Sequence, residues 1–101
     1  MFVILTSKPG QFRTELGDGM RALESYDYLL CGRRRAHFVI AELAGDVKVR
    51  VVDESGPREA AASVNLVPCK FLPKFDSVDK ARRELERLAS FGALDVALVR
   101  C

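Results

Sequence analysis

Arg33-Arg34-Arg35 is the densest run of like charge in the chain. Planar guanidinium groups fork onto phosphate or carboxylate oxygens, so the run is a candidate clamp for an anionic ligand or an acidic partner. The simpler alternative is a solvated hairpin tip whose charge discourages edge-to-edge pairing. Lys70 and Lys74 extend the patch if their segment lies beside that hairpin. His37, the single histidine, completes the candidate binding set as an acid/base group or a pH-sensitive contact. Cys31 lies six residues before it across a tight turn, which permits a thiol–imidazole dyad. No Ser/His/Asp order stands out, and a packing histidine on a sheet surface is the plainer reading. A metal site from Cys31, His37 and Cys69 would have three ligands without the usual spacing, so no metal and no cofactor are assigned. Cys69 sits among apolar neighbours and reads as a small buried hydrophobe, and Cys101 as exposed.

The remaining motifs carry less. Ser7-Lys8-Pro9-Gly10 and Gly17-Asp18-Gly19 lack the spacing of phosphate-cradling loops and read as turns. Lys80, Arg82, Arg83 and Arg87 make a basic helix face, but Glu84 and Glu86 interleave with it. Tyr26 and Tyr28 are the nearest approach to a base-stacking strand and have no flanking basic or glycine residues.

The elements that position these residues follow from periodicity. Asp76 to Gly92 reads as one amphipathic helix. Asp76 or Ser77 caps it, Val78, Ala81, Leu85 and Leu88 form the apolar stripe, and Gly92 stops it. Asp79 with Arg83, Lys80 with Glu84, and Arg82 with Glu86 are expected as ion pairs one turn apart. Strands are expected at Phe2 to Thr6, Glu24 to Cys31, Ala36 to Leu43, Val47 to Val51, Val64 to Val67 and Ala93 to Val99. Gly32 to Arg35 and Ala44-Gly45-Asp46 are read as the turns of a three-stranded meander. Gln11 to Gly19 is read as a loop with a short helical turn at Arg13 to Leu16, and Asp53 to Ser63 as a mobile loop. Pro68 and Pro73 confine Cys69 to Leu72 to an edge strand or an extended crossing.

The fold expected is therefore α+β in a single domain, residues 1–101. A mainly antiparallel twisted sheet of about five or six strands carries one C-terminal helix on one face. The strongly apolar first and last strands are expected to pair in its centre. Leu94, Val96 and Leu98 are placed on the last strand's inner face. One helix covers one face, so Tyr26, Tyr28 and Phe38 are placed on the other and a homodimer is expected to bury them.

Composition bounds the function. The chain has 101 residues, 49% hydrophobic and 30% charged, which is globular and large enough for one core. Net charge is +2, too mildly basic to indicate nucleic acid by itself. There is no transmembrane run, and Phe2 to Leu5 is too short for the apolar region of a signal peptide. Three widely spaced cysteines fit the cytosol. The function expected is a non-catalytic cytoplasmic accessory or regulatory domain that binds a protein partner or a small anionic ligand through Arg33, Arg34, Arg35, His37, Lys70 and Lys74. The alternatives are a nucleic-acid binder using the arginine hairpin and the basic helix face, or a small enzyme with its site at a homodimer interface.

Overall fold

The computed structural model describes residues 1–45, 47–54, 64–90 and 96–101. In chain order the elements are β1 (Phe2–Ser7), β2 (Phe12–Glu15), β3 (Met20–Leu30), β4 (Arg33–Leu43), β5 (Lys48–Asp53), β6 (Val64–Pro68), a 3-10 turn (Cys69–Phe71), α1 (Val78–Ser90) and β7 (Val96–Arg100). The fold is α+β, as expected, but the strands divide into two antiparallel sheets, β1-β4-β3-β7 and β2-β5-β6.

The division has a steric cause. β4 pairs with β1 along one edge and with β3 along the other. No edge is left for the chain that follows, so β5 does not fold back as the third strand of a meander. It pairs with β2 and β6 instead. The centre of the larger sheet is β4 beside β3, and the first and last strands lie at its edges rather than together.

Both faces of that sheet are covered at β1 and β4, while Val99 of β7 stays exposed. On one, Ala36, Phe38 and Ile40 pack against Ala81 and Leu85 of the helix, with Tyr26, Tyr28 and Phe75 around them. On the other, Val3, Leu5, Ala41 and Leu43 pack against Val49 and Cys69 of the second sheet and its following turn. Residues of β1 and β4 alternate between the two cores, which explains why both read as nearly unbroken apolar runs. Tyr26, Tyr28 and Phe38 thus lie under the helix, and not on the uncovered face assigned to them.

Several boundaries differ from expectation. Phe12 to Glu15 is a strand, not a helical turn: Phe12 and Thr14 alternate with Arg13 and Glu15, and all four pair with β5. The β3–β4 turn is Cys31-Gly32, with positive φ of 52 and 76 at the two positions, the handedness that suits a two-residue hairpin. Arg33 to Arg35 therefore belong to the strand. Cys69 to Phe71 is a tight turn rather than an edge strand, tied to the second sheet by the Cys69 N–H on the Val47 carbonyl. The helix begins at Val78, with Ser77 Oγ accepting the Lys80 N–H at 3.2 Å. Its ion pairs are Asp76–Lys80, Asp79–Arg82 and Glu84–Arg87, not the three expected. β7 runs to Arg100, and Leu98 joins the helix-side core as expected. Gly92, Leu94, Asp46 and most of the expected 53–63 loop lie outside the described residues. Among those described, no helix is long and apolar enough to cross a membrane.

Candidate functional site

The β3–β4 hairpin is irregular where the arginines lie. Tyr28 pairs with Ala36, but Leu29 pairs with Arg34, so Arg35 is an extra residue in β4. Such a bulge re-aims a side chain that strict alternation would send to the opposite face. Arg35 accordingly lines the helix-side cleft with Tyr28, Ala36 and Phe38. Arg34 turns to the other face, its guanidinium 3.8 Å from Asp27 Oδ1. The arginine run is contiguous in the chain and divided in space.

The helix-side cleft measures about 470 Å³. It is lined by Arg35, Lys8 and Gln11 together with Tyr28, Phe38 and Leu88. Lys8 and Gln11 are held there by a tight turn, with the Gln11 and Phe12 amides both bonded to the Lys8 carbonyl. Every described lining residue is neutral or cationic. Lys8 and Arg35 form no ion pair among the described residues. The cleft offers two cations without a described carboxylate partner beside aromatic and aliphatic side chains, which suits an anionic head on an apolar body.

The structure does not bring Lys70 and Lys74 to this place. Lys74 precedes Phe75, which pairs with Phe2, and Phe2 faces Glu42. Lys70 follows Cys69, which is bonded to Val47. Both lie at the Glu42 end of the sheet. From Arg34 to Glu42 along β4 is roughly 27 Å at about 3.4 Å per residue.

His37 lies on the face away from the helix, opposite Asp27, with Nδ1 2.8 Å from Oδ1. That hydrogen bond is the main reason Asp27 is held below its ordinary 3.8. The alternative of a dyad with Cys31 is not formed, because Cys31 occupies the hairpin turn and His37 pairs with Asp27 and Ser7. Cys101 is the thiol nearby: one ligand atom each from Asp27, His37 and Cys101 lies within 4.8 Å of the others. These three are the residues best placed to hold a metal ion, and the Arg34 cation beside Asp27 works against one. Burial and the Asp27 charge push the Cys101 thiol up, the reverse of what an activated nucleophile needs. Cys69 is buried in the core between the sheets, as its apolar neighbours suggested, and burial pushes its thiol up as well.

Glu24 was not singled out by its sequence context, yet it is the one buried charged residue among those described. It pairs with Ile40 in the same register as Tyr26 with Phe38, so the strand's alternation sets it under the helix. There Arg82 grips both its oxygens, Tyr26 donates its hydroxyl, and Arg100 stands 3.5 Å away. The Arg82 bonds hold the Glu24 carboxyl down at about 2. Nothing is left to donate a proton at neutral pH, so this group joins helix to sheet and does no acid chemistry.

Comparison with known proteins finds no matching family model, no matching curated protein and no matching solved structure.

Proposed function

We propose that the protein is a non-catalytic binding domain that takes an anionic group carried on an apolar body in the cleft beside the β4 bulge. The observation that carries this reading is the pair Arg35 and Lys8, without a carboxylate partner among the described residues, lining one cleft with Tyr28, Phe38 and Leu88. A catalytic reading has less behind it, since the cleft's described lining residues include no general base and the thiol beside His37 is pushed up rather than activated. A nucleic-acid reading also loses support: Lys80, Arg82 and Arg87 each sit on a carboxylate of the protein itself. Three free cysteines support a cytosolic setting for an accessory or regulatory role. A homodimer remains part of the proposal, with no surface assigned to it by the covered tyrosines.

The test is calorimetric titration with octanoate, octanol and octylamine at low and high salt. The reading expects octanoate alone to bind, more weakly in high salt, and to lose about tenfold in affinity in Arg35→Gln and in Lys8→Gln. Equal binding of octanol, or octanoate binding untouched by both substitutions, overturns it.

A further inference from the structure

Strand β1 is an edge of the larger sheet, and its outward main-chain groups belong to Phe2, Ile4, Thr6 and Lys8 by the alternation of an antiparallel ladder. The two ends are occupied. Phe2 exchanges both bonds with Phe75, and Lys8 exchanges both with Phe12. The Thr6 carbonyl accepts the Thr14 hydroxyl. The Ile4 N–H and C=O and the Thr6 N–H have no partner among the described residues. The cause is in the chain: a ladder continued from Phe75 would set Pro73 opposite Ile4, and proline has no N–H to give.

Three cavities open on this gap, on alternating sides of the strand. On the helix side, a cleft of about 520 Å³ is lined by Ile4, Phe75 and Leu88. Between the sheets, a pocket of about 210 Å³ is lined by Leu5, Val49, Val51 and Val67. On the helix side again, beside Thr6, lies the cleft with Lys8 and Arg35. Successive residues of a strand laid along β1 would point to the helix side at Ile4, between the sheets at Leu5, and to the helix side at Thr6. The cavities follow the same order.

From this the geometry points to an extended peptide as the ligand, added to the β1 edge at Ile4 with an acidic side chain reaching Lys8 and Arg35. This rests on the anion-cleft reading above and names its ligand class. A lipid carboxylate would satisfy the cations but leave the Ile4 amide and carbonyl unpaired, whereas a peptide pairs both. Antiparallel addition lets one peptide residue exchange both bonds with Ile4. Read from its N-terminus, the peptide presents an acidic residue to the Thr6 site, a small apolar residue to the inter-sheet pocket and a larger apolar residue to the Ile4 site.

The probe is a fluorescein-labelled, end-blocked peptide with the core Glu-Val-Leu, measured by anisotropy against the intact protein. Saturable binding is expected, about tenfold weaker for Gln-Val-Leu and at least tenfold weaker when the leucine nitrogen is methylated. Amide exchange at Ile4 and Thr6 should slow when the peptide is bound. Arg35→Gln should weaken the glutamate peptide and leave the glutamine peptide unchanged. If octanoate binds the cleft while the peptide does not, or the methylated peptide binds equally well, the edge pairing is wrong and the cleft reading stands. If neither octanoate nor peptide binds, both fall. Sedimentation showing a dimer that the peptide neither enters nor dissociates, with Ile4 already protected, would assign the edge to a second copy and overturn the proposal.

Discussion

His37 meets Asp27 because β4 carries one residue more than its partner strand. Across a regular ladder from the Cys31-Gly32 turn, Leu30 pairs with Arg33 and His37 would face Tyr26, under the helix. The extra Arg35 shifts the register by one, so that Tyr26 faces Phe38 and His37 faces Asp27 on the opposite side. One irregularity thereby places the imidazole–carboxylate pair on one face and a cation on the other.

Deleting Arg35 tests that relationship. The pairs on one side of the bulge are held by core packing at Phe38 and Ile40 and those on the other by the Cys31-Gly32 turn, so the shortened strand should close into a regular ladder with the same partners. The variant is expected to fold with stability within about 1 kcal/mol of the parent. Cross-strand NMR contacts between positions 27 and 37 should persist, while octanoate binding is lost. Loss of those contacts with folding retained would mean that the bulge does not set the register.

Asp27 should titrate below its ordinary 3.8, with His37 as the largest cause. A depressed folded pKa contributes stability that is present above the unfolded value and fades as pH falls through the folded one. Carbon NMR of the Asp27 carboxyl reads this directly. His37→Leu should move the midpoint back up; an unchanged midpoint would show that the imidazole does not hold the carboxylate.

Glu24 sets the acid limit of the fold. Its carboxyl is drawn down to about 2, so the contribution it makes at neutral pH should hold to about 4.5 and be lost between there and 2. Arg82→Met should destabilise the fold at pH 7, with Arg100 and Tyr26 left as partial partners. The difference from the parent should shrink towards pH 2, where Glu24 protonates in both. Denaturant melts at several pH values measure it, and a cost independent of pH would assign the effect to packing.

Gly17 is required for space. A Cβ there would lie well inside contact distance of the Lys48 carbonyl oxygen, a backbone atom that cannot swing aside. Gly17→Ala should therefore destabilise the protein by about 2 kcal/mol. It should also loosen the approach of β5, visible as faster amide exchange in β2 and β5. A thermal midpoint equal to the parent's would show that the two segments separate easily.

The local pattern determined much of this protein. The stripe Val78, Ala81 and Leu85 and the cap at Ser77 specify the helix, and the unbroken apolar runs of β1 and β4 specify strands with two buried faces. These are signals of period and capping, carried within a few residues. Whether β5 pairs with β4 was decided by competition for an edge, which only the assembled sheet settles. The tip arginines parted because one extra strand residue inverts the side-chain alternation, and composition does not register a bulge. Glu24 and Arg82, fifty-eight residues apart, became partners when the helix packed on the sheet. A charge is buried where a distant opposite charge arrives to meet it, and that arrival is a property of packing in three dimensions.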